Sequence, residues 1–253
     1  MKSYISHFES RLGAMTWRIS TLVESETPTS EKVEVDRVVN ALAEWAAGLG
    51  AQVRLHQQAI VGDCLECRWN TQAPGAPILI ICHLDTVHPL GSVERSPTRI
   101  EDDVLFGLGA YDMKASIVLV QTVLEDLQAL GLALARPVIW LVTTDEEIGS
   151  PYSRPLVEKL GREAELVLVM EFSDYEERIV TARKGVGIFQ LTVLGRESHS
   201  GSAPGEGINA LVEAARLVEP VVALSDPARA RSLRQRLCAA ARVITSSLAS
   251  VTW

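Results

Sequence analysis

The stretch Ala76-Pro-Ile-Leu-Ile-Ile-Cys-His-Leu-Asp-Thr-Val87 combines an apolar strand pattern with polar groups at its end. The apolar run from Ile78 to Ile81 follows a proline and is rich in β-branched residues, which is typical of a strand buried on both faces. His83 and Asp85 are two positions apart, so their side chains point to the same side of an extended chain. Asp85 is therefore placed to orient the His83 imidazole, as carboxylates do for metal-bound histidines. A pair that only caps a strand end would give the same pattern.

Apolar segments of extended and helical periodicity alternate along most of the chain. Buried-type strands are predicted at residues 78–83, 137–143 and 165–170, with helical patterns at 115–130 and 154–160 between them. This alternation predicts an α/β fold with a mainly parallel central sheet flanked by helices.

The sequence pattern changes near residue 177, which predicts a domain boundary there. Residues 1–177 are predicted to form the first domain. Residues 178–225 carry two strand patterns, a loop rich in glycine and serine, and one helix, which predicts the start of a smaller α+β domain. Residues 226–253 form an arginine-rich tail of different composition.

Composition and charge exclude some classes of partner. The chain has 253 residues, 47% of them hydrophobic, and a formal net charge of -8, which argues against binding to nucleic acids and anionic membranes. No apolar run approaches the roughly 20 residues of a membrane span, and the N-terminus lacks the apolar core of a signal peptide. A cytoplasmic location is the resulting expectation. The arginine-rich tail gives only weak support for a nucleic-acid binder, because the rest of the chain is acidic.

Side chains of the types that bind metal ions (metal-type side chains) lie at the ends of the predicted strands or just after them. They are His83 and Asp85 after the first strand, Glu146 and Glu147 after the second, Glu171 after the third, and Asp112 between a glycine-rich turn and a helix. Because carboxylates cost several kcal/mol to bury unless they are paired or metal-bound, their gathering at one sheet edge predicts a cation. Imidazole and carboxylate ligands without thiolates suit Zn²⁺, Mn²⁺ or Co²⁺.

Two features of this set indicate hydrolysis. Asp112 at a helix start is suited to bridge two cations about 3.5–4 Å apart, as in two-metal hydrolytic sites. Glu146 and Glu147 are adjacent, so they cannot reach the same point; one can bind metal while the other takes a proton from the attacking water. These roles together describe a metal-assisted hydrolase.

Five motifs in the same order resemble those of a known family. The segments His83-Leu-Asp-Thr-Val87, Gly107-Leu-Gly-Ala-Tyr-Asp-Met-Lys114, Thr143-Thr-Asp-Glu-Glu-Ile-Gly-Ser150 and Glu171-Phe172 resemble the metal-site motifs of the M20 family of co-catalytic zinc metallopeptidases. Ser198-His-Ser-Gly-Ser-Ala-Pro-Gly-Glu-Gly-Ile-Asn-Ala210 resembles the loop of that family's lid domain. The glutamate carboxypeptidase branch is the most similar, because Arg183-Lys-Gly-Val-Gly187 and the context of Glu171 fit it. The resemblance runs from about residue 25 to residue 224.

This resemblance implies a two-zinc site in the first domain, which would then be the catalytic domain. His83 and Glu171 would bind one zinc ion, Glu147 would bind the other, and Asp112 would bridge them. The lid domain would mediate a homodimer.

The resemblance also implies catalytic roles for other residues. Asp85 would orient His83, and Glu146 would be the general base. His199 would reach the active site of a partner subunit and stabilise the oxyanion.

The sequence departs from the family pattern at its C-terminal end. Members of the family continue well beyond this length, complete the lid and return to the catalytic domain, where a late histidine binds the second zinc. Here His199 is the last histidine. We therefore expect a C-terminally truncated chain with an incomplete catalytic domain, a partial lid and one incomplete zinc site. The arginine-rich residues 226–253 resemble nothing in the family, and a shifted reading frame is one hypothesis for this tail.

The expected activity is hydrolysis of an amide or peptide bond next to a C-terminal carboxylate, with a small peptide as substrate. An N-acyl-amino-acid deacylase is an alternative, because the same site chemistry would serve it. An inactive metal-binding or dimerising remnant is a second alternative, which the absent late histidine favours.

Overall fold

The computed structural model describes residues 2–172, 180–181, 191–199, 201–203, 205–224 and 248–251. The chain divides into two compact units, Met1–Val180 and Thr181–Trp253. The domain boundaries predicted after residues 177 and 225 remain predictions, and most of the arginine-rich tail lies outside the described residues.

The first unit alternates helices and strands along the chain. Its helices are α1 (Lys2–Glu24), α2 (Lys32–Gly48), α3 (Ser92–Arg95), α4 (Ala115–Ala129) and α5 (Arg154–Glu163). Its strands are β1 (Gln52–His56), β2 (Cys64–Trp69), β3 (Ile78–His83), β4 (Arg99–Glu101), β5 (Val104–Phe106), β6 (Val138–Thr143) and β7 (Leu166–Val169). None of the helices in the described part of the chain is both long and apolar enough to cross a bilayer.

A five-stranded sheet with the order β1-β2-β6-β3-β7 forms the centre of this unit. Strands β6, β3 and β7 are parallel, whereas β2 is antiparallel to both β6 and β1. The sheet is therefore mixed, and its parallel part consists of the three strands that carry the metal-type residues. The predicted α/β fold with a helix-flanked central sheet is confirmed.

The register of the parallel strands brings their carboxyl ends to one edge. His83, the last residue of β3, pairs with Thr143, the last residue of β6. The backbone N–H of Met170 donates to Ile81 O at 2.9 Å and extends the pairing just beyond β7. Because Glu171 follows Met170 directly, the polar residues after all three strands begin at nearly the same level.

The hydrophobic core lies on both faces of the sheet, because alternate residues of β6 point in opposite directions. Trp140 faces the larger cluster, which includes Leu42 of α2 and Ile117 of α4. Leu141 faces the smaller cluster with Leu160 of α5. Burying each such side chain contributes roughly 1.5–3 kcal/mol, so the helices are held firmly against the sheet.

Strand β7 differs from its prediction. Its four residues were expected to be buried, but all are exposed, Val169 by 59%. Among the described residues β7 pairs only with β3 and so lies at a sheet edge. An apolar run predicts a strand, but its burial depends on what packs against it.

The second unit contains strand β8 (Leu191–Leu194), helix α6 (Ala210–Ala223) and strand β9 (Leu248–Val251) in its described part. Strands β8 and β9 pair antiparallel. The predicted strand at residues 179–183 and the first part of the next lie mostly outside the described residues, so the proposed lid domain remains a prediction.

Glu66 of β2 is a buried charge in the first unit. Its side chain lies 2.6 Å from His56 Nε2 and accepts a hydrogen bond from Arg68 Nε. Burial by itself raises the pKa of Glu66, but the hydrogen bonds from Arg68 and His56 more than offset this and lower the pKa below its usual value. The ionised carboxylate therefore stabilises the fold.

Replacing Glu66 by glutamine is expected to lower the free energy of unfolding by about 2 kcal/mol near neutral pH, because hydrogen bonds to a charged group are lost. A lowered pKa gives stability that is present above the unfolded-state pKa of about 4.3 and is lost as the pH falls through the folded-state pKa. The difference between the wild type and Glu66→Gln should therefore shrink below about pH 4. Urea unfolding at several pH values measures it.

Glu163→Gln is the matched control, because this exposed carboxylate lies 3.9 Å from the same Arg68. It should change stability by less than about 0.5 kcal/mol. Equal stability of Glu66→Gln and the wild type at pH 7 would contradict the role of the buried carboxylate.

Candidate metal centre

The ends of β3, β6 and β7 position most of the predicted metal-type side chains. His83 ends β3, and Glu146 and Glu147 lie in the single 3₁₀ turn Glu146–Ile148, three residues beyond β6. Glu171 follows β7 after one intervening residue. Since parallel strands end at the same edge, residues distant in sequence meet there.

His83 lies at the centre of the cluster and is only 2% exposed. Its Nε2 atom is 2.9 Å from Asp112 Oδ1 and 3.5 Å from Glu171 Oε1. Its Nδ1 atom is 3.0 Å from the backbone oxygen of Asp85 and 3.5 Å from Asp85 Oδ1. Nδ1 can therefore donate to Asp85 while Nε2 faces the carboxylates, which is the orientation that a metal ligand needs.

Two overlapping groups of side chains could hold a cation. The first is His83, Asp112 and Glu147, and the second is His83, Glu146 and Glu171; in each group the ligand atoms lie within 4.8 Å of one another. One imidazole with carboxylate oxygens is a donor set suited to Zn²⁺, Mn²⁺ or Co²⁺. The residues present therefore fit a divalent metal.

The cluster carries an excess of negative charge. Burial raises the pKa of Glu147, the charge of Asp112 raises it further, and the result is about 7. Burial lowers the pKa of His83, but the hydrogen bond and charge of Asp85, together with Glu171 and Asp112, raise it to about 10. Neighbouring carboxylates contribute to both pKa shifts, after burial in the case of Glu147, and such a concentration of negative charge favours a bound cation.

Asp85 connects His83 to the turn that carries the two glutamates. Its side chain is fully buried, and Oδ1 accepts from the backbone N–H of Glu146 at 3.2 Å. Its Oδ2 accepts from the backbone N–H of Glu147 at 3.2 Å and from Thr29 Oγ1 at 2.8 Å. One carboxylate therefore fixes the positions of two segments of the site.

Thr29 belongs to a segment that the sequence motifs did not identify. The Thr27 hydroxyl donates to Leu84 O at 2.6 Å, and the Thr86 N–H donates to Thr27 O at 2.8 Å. The Thr29 N–H in turn donates to Thr86 O at 3.3 Å. The segment pairs with residues 84–86 like a short strand. The sequence shows that this loop is rich in Ser and Thr, but it does not show which residues the loop contacts.

Asp145 is a second residue that the motifs left without a role. It is fully buried, and its Oδ2 accepts from the backbone N–H groups of Tyr152 at 2.7 Å and Ser153 at 3.0 Å. These bonds close the loop that follows Glu147 and join it to the start of α5. Asp145 thus restrains the loop that follows the 3₁₀ turn Glu146–Ile148, which we call the glutamate turn.

Asp112 follows a turn at Gly109 that packs closely against Thr86. Gly109 has φ +70°, and a Cβ atom there would lie 2.6 Å from Thr86 Cγ2. Only glycine tolerates both conditions, so the turn packs directly on the residue after Asp85. The Asp112–Met113 peptide bond is cis. The Asp112 side chain is 45% exposed and points its Oδ1 at His83.

The structure therefore brings together six of the seven predicted site residues: His83, Asp85, Asp112, Glu146, Glu147 and Glu171. The seventh, His199, belongs to the second unit and is exposed. Its Nδ1 accepts from the backbone N–H groups of Gly201 at 3.1 Å and Ser202 at 3.2 Å. Its role at an active site remains a prediction.

Comparison with known proteins places the chain in a family. Residues 79–247 match Peptidase family M20/M25/M40, and the chain belongs to this family. The match extends past residue 224, where the motifs end. The range of the match thus reaches into the arginine-rich tail, whose assignment as a separate segment after residue 225 remains a prediction, as does the shifted reading frame.

Individual relatives agree with this assignment. The chain is 31% identical over 214 residues to carboxypeptidase G2 from Pseudomonas sp. (strain RS-16), covering 83% of this chain and 51% of the relative. It is 27% identical over 198 residues to acetylornithine deacetylase from Salmonella paratyphi B, covering 77% and 50%. The chain thus spans about half the length of the curated relatives it matches.

Solved structures share the fold. An M20 family metallo-carboxypeptidase from Sulfolobus solfataricus superposes with a TM-score of 0.62 at 19% identity. The similarity covers 92% of this chain and 54% of that one.

Gly109→Ala tests the close packing of the Asp112 turn. We expect a loss of about 1–3 kcal/mol in unfolding free energy, because alanine is strained at positive φ and its Cβ would collide with Thr86. Thermal or urea unfolding measures the loss. Gly13→Ala in helix α1 is the control: it has open space around it, and alanine there should add up to about 1 kcal/mol. An unchanged stability in Gly109→Ala would show that the turn can move away.

Proposed function

We propose that this chain carries the metal centre of a zinc-dependent hydrolase that cleaves an amide or peptide bond next to a C-terminal carboxylate. The observation that carries the proposal is the gathering of carboxylates around His83. Asp112 and Glu171 lie 2.9 and 3.5 Å from its Nε2 atom, and Glu147 forms a group with His83 and Asp112 whose ligand atoms lie within 4.8 Å of one another. Membership of Peptidase family M20/M25/M40 supports a hydrolytic use of this group.

His83, Asp112 and Glu171 would hold one zinc ion, and Asp112 with Glu147 would contribute to a second. The shared position of Asp112 is supported by its 2.9 Å approach to His83. These residues would hold zinc where it would supply Lewis-acid chemistry, namely polarisation of the scissile carbonyl. The ligand set also suits Mn²⁺ or Co²⁺.

Glu146 would be the general base. It is exposed, whereas Glu147 beside it is half-buried; Glu147 belongs to the group with Asp112, and Glu146 to the group with Glu171. Asp85 accepts hydrogen bonds from the backbone N–H groups of both residues and so fixes the turn that carries the two carboxylates. Glu146 takes a proton from the attacking water and delivers it to the amine nitrogen as the amide bond breaks.

The substrate would be a small peptide or an N-acyl amino acid. The likeness to carboxypeptidase G2 favours a carboxypeptidase, and the likeness to acetylornithine deacetylase supports a deacylase as the second candidate. His199 would complete the site of a partner subunit in a homodimer, where it would stabilise the oxyanion. A cytoplasmic location suits an enzyme of this class.

Glu146→Gln and Glu147→Gln separate proton transfer from metal binding. Loss of the base should lower the rate of hydrolysis by about 10²–10⁴-fold in Glu146→Gln while zinc affinity stays within a few-fold of the wild type. Glu147→Gln should weaken zinc binding instead. Hydrolysis of an N-acylated glutamate with added zinc, together with a zinc titration, measures both effects.

The outcomes of this experiment are distinct. Activity in the wild type that survives in Glu146→Gln would contradict the assigned base. Zinc binding without hydrolysis in every variant would identify the chain as a metal-binding remnant.

The metal content should be close to one tightly held ion per chain. In the part of the chain that the structure describes, both candidate groups share His83, and the other ligands are carboxylates. Catalytic zinc sites normally have three protein ligands, which only the site around His83 provides. Elemental analysis after dialysis measures the content, with His83→Ala as the metal-free reference. Two tightly held ions per chain would contradict this expectation.

A further inference from the structure

We propose that Thr29 is a positioning residue of the metal centre, whose hydroxyl fixes the Asp85 carboxylate and, through it, the His83 ring and the glutamate turn. The inference rests on the proposed metal site. It concerns a residue that lies outside the five sequence motifs.

The two oxygens of Asp85 have different partners. Oδ1 lies 3.2 Å from the backbone nitrogen of Glu146 and 3.5 Å from His83 Nδ1. Oδ2 lies 3.2 Å from the backbone nitrogen of Glu147 and 2.8 Å from Thr29 Oγ1. The Thr29 contact is the shortest of the four. Losing it would leave Oδ2 with one long hydrogen bond and allow the carboxylate to rotate away from His83.

Burial makes the hydroxyl difficult to replace. Asp85 is fully buried and Thr29 is 8% exposed, so bulk water has little access to the position of Oγ1. Among the described residues, His83 is the one basic side chain within ion-pair distance of Asp85. A buried carboxylate with so few partners depends strongly on each donor.

Thr29 is itself held in place on both sides. Its N–H donates to Thr86 O at 3.3 Å, and the residue before it, Pro28, pairs with Thr86. The Glu31 N–H donates to Pro28 O at 2.9 Å just before α2 begins. Because threonine is stiff at χ1, this backbone placement aims the hydroxyl in a defined direction.

Thr27 provides a matched comparison within the same segment. Its side chain is fully buried, and its hydroxyl also donates a short hydrogen bond, to Leu84 O at 2.6 Å. This hydrogen bond goes to the backbone of Leu84 and not to the Asp85 side chain. A loss that is merely structural should therefore affect Thr27→Val and Thr29→Val alike, whereas a positioning role affects only Thr29→Val.

Zinc affinity, measured by competition with a chromogenic chelator, tests the proposal. Thr29→Val keeps the shape and removes the hydroxyl, and it should weaken zinc binding about 10-fold or more, as is typical when a partner of a ligand-orienting group is lost. Thr29→Ser keeps the hydroxyl and should stay within about threefold of the wild type, as should Thr27→Val. Wild-type affinity in Thr29→Val, or an equal loss in Thr27→Val, would overturn the proposal.

A second measurement uses the metal-free protein and remains informative if the chain binds no zinc, which would count against the proposed function alone. The ¹⁵N signals of the His83 ring report its tautomer and hydrogen bonding. They should change in Thr29→Val and not in Thr27→Val. Unchanged His83 signals in Thr29→Val would refute the positioning role. If Thr29→Val does not fold, Thr29→Ala, which introduces no new atoms, takes its place in both measurements.

Discussion

The Asp85 carboxylate accepts hydrogen bonds from the Thr29 hydroxyl and from the backbone N–H groups of Glu146 and Glu147, while one of its oxygens faces His83. A fully buried carboxylate is tolerated only when such donors satisfy it. The donors come from two segments that are far from Asp85 in the chain, one 56 positions before it and the other 61–62 positions after it. The charge is therefore satisfied only in the folded first unit, which also assembles the candidate site.

The mixed sheet supplies the framework for this meeting. Strands β3 and β6 end level with each other, and β7 follows at their side, so the residues after each strand lie at one edge. The result is a cluster of carboxylates around one buried imidazole. The surrounding carboxylates raise the pKa of His83, whereas burial and then the charge of Asp112 raise the pKa of Glu147. A divalent cation would relieve this repulsion, which is consistent with a family of metal-dependent peptidases.

Much of this arrangement could be predicted from sequence, because the relevant signals are local. Side-chain periodicity identified the helices and the three parallel strands, and the order of polar residues after them indicated one site. The predicted burial of β7 was wrong, since exposure depends on neighbours that periodicity does not specify. The range of the family match extends beyond residue 224, where the recognisable motifs end.

The sequence by itself determined that His83 and Asp85 face the same side, because residues two apart do so in any extended strand. It also determined that Gly109 can accept a positive φ, since glycine has no Cβ. Only the tertiary structure decided that Thr29 donates a hydrogen bond to Asp85, 56 positions away. It also decided that the same carboxylate accepts hydrogen bonds from the backbone N–H groups of Glu146 and Glu147. A hydrogen bond requires a donor and an acceptor that lie about 3 Å apart. The distance between segments that are far apart in sequence is set by the packing of the whole unit.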